Sequence, residues 1–388
     1  MIFDTFPKVS PTGMAARIFL AFLATAGLFY VNIMPAIVDG LIQALGFNNQ
    51  QAGAVASANI YGAAAGALFV VFMVKRLNWR FASLLFLAGL ICIDLVSLAV
   101  SAPELLVAMR FVHGFVGGML VGTGFSVIAR TIQPDRTFGV LLFVQFSLGG
   151  LGVMFIPGLV PEFGTKILFL SLVAFSSVTL LMLPFLPEFK TRELPQPGQA
   201  RTPIRWIPLG LTLVSLFLFQ AANMGLYAYI IGLGEFYGLT QDYITTTLGV
   251  SAWLGLVGAG LVILVGDRFG YFRSLLGGVG LTALANWALQ FSDMPFVFLA
   301  ANILVGITWA YTISYLLGLA SRFDASGQMA ALAGFASKMG LASGPAAAAF
   351  LMADNNYQLI IWVAVGALIV STLMILVPSF LQDRLTHR

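Results

Sequence analysis

Long apolar runs, separated by short polar breaks, constrain this chain more than any other feature. Most exceed the roughly 18–20 residues needed to span a bilayer core, which is longer and more uniformly apolar than the helices of soluble cores. Charge agrees: Asp, Glu, Lys and Arg make up only 9% of the chain, against roughly 25% in soluble domains. So few charges cannot cover a water-facing surface. The expected class is an all-α membrane protein.

The runs divide into twelve spans. The first six are read as Ala15–Leu45, Gln51–Val74, Phe81–Val100, Leu105–Ala129, Phe138–Val160 and Ile167–Leu186. The second six are Ile207–Phe236, Tyr243–Gly266, Ser274–Phe291, Phe296–Ala320, Met329–Met352 and Leu359–Leu381. The stretch Met1–Gly13 has no apolar core and contains Asp4, so it does not read as a signal peptide. Only Glu188–Arg205 is a long polar break. With Pro195, Pro197 and Pro203 it reads as a linker between residues 1–187 and 206–388.

On this map every basic loop residue except Lys166 falls on one side, while Arg110 and Lys338 fall inside spans. Excess Lys and Arg mark cytoplasmic loops. Both termini and the linker are therefore expected in the cytoplasm, with the protein multi-pass in an inner membrane. The net charge of +4 reflects these loops and is no sign of nucleic-acid binding.

The chain also repeats itself. A shift of 192 positions places Gly46 on Gly238, Gly66 on Gly258, Arg76 on Arg268, Gly114 on Gly306 and Gly152 on Gly344, without gaps. With 41 glycines each match alone is weak, and the shared offset is the signal. Two six-helix halves in parallel repeat are expected to meet around a path near the bilayer midplane.

Motifs at matching positions point to a family. The loop after the second span of each half carries a basic cluster: Lys75, Arg76 and Arg80 in the first, Asp267, Arg268, Gly270 and Arg273 in the second. The fourth span holds Arg110 and Gly114 in an Arg-x-x-x-Gly pattern, followed by Pro134, Asp135 and Arg136. Along essentially its whole length the chain resembles the major facilitator superfamily. The first loop departs by placing Lys75 where the family has an acid. The resemblance implies two pseudo-symmetric bundles, a cytoplasmic latch formed by these loop residues, and a cavity lined by the first, fourth, seventh and tenth helices. It does not fix a subfamily.

Ionisable groups inside spans are costly, and each is a functional candidate. Asp94 and Arg110 lie at similar depth, about 10 Å from the outer surface at 1.5 Å per residue. They could pair as a structural staple, or Arg110 could face the cavity. Their counterparts are Asn286 and Asn302, which reads as a neutral version of the same pair. His113 lies one turn from Arg110 and is either a packing residue or a proton carrier. Arg110, His113 and Asp94 are thus the proton-coupling candidates. Lys338 lies near the midplane, without an assignable acid and among Ala336, Gly340, Ser343 and Gly344. A substrate anion, a structural hydrogen bond and a proton-coupling role remain open for it. Asp39 and Glu235 sit near outer ends and read as solvated or gating residues.

The helices implied to line the cavity add Tyr30, Asn32, Asn223, Tyr227, Trp309 and Tyr311 to Arg110 and Lys338 as candidate substrate contacts. Rings with amides suit an amphipathic solute. No phosphate-binding loop of the Gly-x-x-x-x-Gly-Lys type is present, so ATP is not the expected driving force. One cysteine and one intramembrane histidine exclude the usual metal or nucleophile constellations of an intramembrane enzyme. No cofactor is expected.

The leading expectation is a monomeric secondary transporter, coupled to protons and alternating access to a small organic acid. Efflux of hydrophobic drugs or metabolites is the alternative, and a non-transporting membrane sensor a third class.

Overall fold

In the computed structural model the described residues are 6–73, 77–128, 130–132, 134–189, 205–265, 268–323, 328–352 and 356–386. All regular structure among them is helical. The expected first span is not one helix but three: α1 (Met14–Ala26), α2 (Phe29–Asn32) and α3 (Met34–Leu45). Gly27 ends α1 at a close approach, where a Cβ would run into the Gly117 carbonyl. Pro35 lies in the first turn of α3, where a residue without an N–H breaks no helical bond. The next helices are α4 (Asn49–Met73), α5 (Trp79–Ser97), α6 (Pro103–Ile128), α7 (Pro134–Phe163) and α8 (Lys166–Met182). Helix α7 runs through Pro157 and Pro161, past the expected end of the fifth span.

The expected seventh span also divides, into α9 (Trp206–Ala228) and α10 (Ile230–Phe236), at Tyr229. Beyond it come α11 (Gln241–Val265), α12 (Gly270–Ala288), α13 (Pro295–Arg322), α14 (Gln328–Leu351) and α15 (Tyr357–Thr386). Nine helices among the described residues are long and apolar enough to cross a membrane. Helices α12 and α14 are also long enough, but glycine, serine and polar residues dilute their apolar character. The protein has an all-α, multi-span membrane fold.

Contacts divide the chain into two compact units. One comprises Met1–Phe47 and Ala58–Pro197, the other Asn48–Ser57 and Gly198–Arg388. Within the first, α1 packs on α6, α7 and α8, α3 on α7, and α5 on α6 and α8. Within the second, α9 packs on α13, α14 and α15, and α12 on α13 and α15. Matched by order along the chain, these are the same pairings.

Glycine contacts repeat at the same offset. A Cβ on Gly66 would strike the Phe115 carbonyl, and one on Gly258 the Ile307 carbonyl. Gly114 abuts the Asn59 carbonyl, and Gly306 the Ser251 carbonyl. Small residues let helix backbones approach this closely where lipid supplies no hydrophobic drive. Gly46 and Gly238, also 192 apart, both take positive φ, at 66° and 83°. Gly46 ends α3 in the left-handed conformation typical of a helix C-terminus.

Candidate functional site

Unit by unit, the polar side chains gather into two clusters. The first lies on α2, α4, α5 and α6. Asp94 and Arg110 are both fully buried and meet at 2.7 Å between Oδ1 and Nη1. Arg110 Nη2 also donates to the Ser97 hydroxyl, which itself donates to the Ile93 carbonyl. The guanidinium carbon lies 5.0 Å from the centroid of the Phe169 ring and 6.0 Å from that of Tyr30. A delocalised, weakly hydrated cation tolerates aromatic walls better than an ammonium would.

His113 completes this cluster. Its Nε2 is 3.2 Å from Asp94 Oδ2 and its Nδ1 is 2.8 Å from the Asn59 amide nitrogen. Arg110, expected as a substrate contact, is thus committed to Asp94 and Ser97 in this structure. Arg110 Nε and the Tyr30 hydroxyl are buried with no hydrogen bond among the described residues.

Sequence depth alone brought Asp94 and Arg110 together, but the expected neutral counterpart does not form. Asn286 Nδ2 donates to Asn223 Oδ1 at 3.3 Å, and Asn302 Nδ2 to the Phe298 carbonyl. An asparagine side chain lacks the reach of an arginine, so each amide bonds to a nearer acceptor. Ser97 and Gln145 were missed. Gln145 Nε2 donates to Asn32 Oδ1 at 3.0 Å, tying α7 to α2. Its signal was the 192-residue offset, which places Gln145 on Ser337 and Phe146 on Lys338.

The second cluster lies on α9, α13 and α14. Trp309 Nε1 donates to Gln220 Oε1 at 2.8 Å, and Gln220 Nε2 donates to the Ser337 hydroxyl at 2.7 Å. Lys338 is the next residue along α14. It is partly exposed and makes no hydrogen bond or ion pair among the described residues. The small residues around it serve close packing: Gly340 abuts the Phe217 carbonyl and Gly344 the Ala221 carbonyl of α9. Tyr311 packs on Tyr315 with centroids 4.8 Å apart. Tyr30 is buried against His113, at 6.0 Å between centroids, while Tyr227 is only partly covered.

The loop motif is only partly visible. Arg76 and Asp267 lie outside the described residues. Arg80 donates to the Leu186 carbonyl at 2.9 Å. Gly270 takes φ 71°, and a Cβ there would meet the carboxylate of Asp383 at 2.5 Å. Asp383 accepts from the Tyr271 and Phe272 amides at 2.7 and 2.9 Å, capping the positive start of α12. Arg268 and Arg273 are both exposed. Away from both clusters, Asp39 is buried and takes both carboxylate bonds from Gln43, while Glu235 is exposed.

Long apolar helices, with the Asp94–Arg110 pair buried between two of them, define a multi-span membrane protein. The chain belongs to the Major Facilitator Superfamily, whose family signature matches residues 18–323. It is a secondary transport protein and not an enzyme. A solved structure of a mutant of the nucleoside transporter NupG is similar, with TM-score 0.71 at 14% identity, covering 94% of this chain and 99% of that one. A D-xylose-proton symporter is similar at TM-score 0.70 and 16% identity, covering 93% and 96%. Among curated proteins none matches the chain.

Proposed function

We propose that the chain is a proton-coupled secondary transporter of an inner membrane, moving a small organic solute, with an organic acid as the favoured class. Twelve spans form two six-helix halves, 1–187 and 206–388, joined by the 188–205 linker. Both termini are cytoplasmic, and the monomer works by alternating access. The repeated pairings and glycine contacts within the two units support this architecture.

The observation that carries the substrate class is Lys338. An ammonium near the middle of a spanning helix, with no acid or hydrogen-bond acceptor among the described residues, is stabilised most directly by an anion. The preceding residue, Ser337, is bonded to Gln220, and Gln220 to Trp309, a polar chain that in this reading orients the solute. Asn223, Tyr227, Tyr311 and Asn32 are the further solute contacts in this reading. The Asp94–Arg110–His113 network carries the coupling proton.

A second reading is a neutral, hydroxyl-rich solute. The bonded amides of Asn32, Gln145 and Gln220 favour it, and the two similar structures are of proteins named for a nucleoside and for xylose.

Thermal shifts of detergent-purified protein with carboxylates, nucleosides, sugars and amines separate the readings. Carboxylates are expected to stabilise the wild type, and Lys338→Ala is expected to lose that shift at least tenfold in apparent affinity while still folding. Equal carboxylate affinity in the variant would end the anion reading, and stabilisation by sugars or nucleosides alone would favour the second.

A further inference from the structure

The hydrogen bonds of Asn59 carry more information than its place in the cluster. Its amide nitrogen lies 3.2 Å from the Arg110 carbonyl and 2.8 Å from His113 Nδ1. A backbone carbonyl can only accept, so the group facing it is the NH2 end of the amide. The same NH2 faces His113 Nδ1, which therefore accepts and bears no proton. The ring proton must then sit on Nε2, 3.2 Å from Asp94 Oδ2, and is donated to it. Other ionisable or charged groups facing the ring are Arg110 on its own helix, paired with the other Asp94 oxygen, and Tyr30 of α2. The network thus holds one cation, one anion and a neutral imidazole.

We propose that Asn59 is the positioning residue that fixes the protonation state of His113, so that a proton can enter at Nδ1 only when the Asn59 amide turns away. The inference rests on the proton-coupled reading for its consequence, but not for its geometry. A proton arriving at Nδ1 would set its own N–H head on against the Asn59 N–H that faces it. Turning the amide to present Oδ1 would set that oxygen against the Arg110 carbonyl instead. Proton uptake and movement of α4 against α6 are therefore linked at one side chain. The packing of these helices does not depend on that side chain: Gly114 rests on the Asn59 backbone carbonyl, and Gly118 on that of Ala63.

The chain has only two histidines, and His387→Gln leaves His113 alone. Full-length protein with 15N-labelled histidine, reconstituted in lipid at neutral pH, then gives one imidazole whose two nitrogens report directly. The expected spectrum shows a proton on Nε2 and none on Nδ1. Asn59→Asp replaces the donor with an isosteric acceptor and should place a proton on Nδ1 at the same pH. A wild-type spectrum with Nδ1 protonated overturns the proposal without any variant. So does an Asn59→Asp spectrum identical to the wild type. The readout needs no flux, so it stands or falls apart from the question of what drives transport.

Discussion

Asp94 shows how much one buried residue has to satisfy. One carboxylate oxygen accepts from Arg110 and the other lies at hydrogen-bond distance from His113 Nε2. Removing one partner of a buried ion pair leaves an uncompensated charge and costs about 3–5 kcal/mol, whereas removing both charges together is far milder. Asp94→Asn and Arg110→Asn should each lower stability by that order, and the double variant should lose less than either. Thermal unfolding in detergent reads this directly, and a double variant no better than the worse single would remove the pairing from the account. The pair was legible from helical rise alone, because depth in a bilayer is fixed by residue count. The role of Asn59 was not. It depends on the rotation of α4 about its axis, which an apolar run without a polar stripe does not specify.

Helices meet here through backbone rather than through large side chains. Gly114 on Asn59 and Gly306 on Ser251 are the same contact written twice. Gly114→Ala would drive a methyl group into a carbonyl that belongs to another helix and cannot yield like a side chain. Overpacking of this kind costs about 1–3 kcal/mol or more, and Gly306→Ala should cost less, because its Cβ would stand 2.8 Å from the carbonyl. Unfolding midpoints of the two variants check the order, and an unchanged midpoint in Gly114→Ala would contradict it. The sequence held these positions in plain view, since a shared offset marks scaffold glycines. It hid the breaks in the first and seventh spans. A continuous apolar run satisfies the bilayer whether or not the helix inside it is interrupted, so Gly27, Pro35 and Tyr229 gave no shift in pattern that length could detect.

At the scale of the molecule, the two units share a scaffold and differ in chemistry. The first buries the Asp94–Arg110 pair, and the second carries Lys338 one residue after a serine bonded to the Gln220 amide. The family was legible from the repeat and the loop motifs together. The solute was not, because it is chosen by a few side chains that the scaffold leaves free to vary. The most direct test of transport itself is solute entry into proteoliposomes containing the purified protein, with an imposed pH gradient. The account predicts uptake or extrusion of an organic acid that follows the gradient, collapses with a protonophore, and falls at least tenfold in Lys338→Ala. Folded protein that moves no carboxylate, sugar, nucleoside or amine in either direction under that gradient would contradict it.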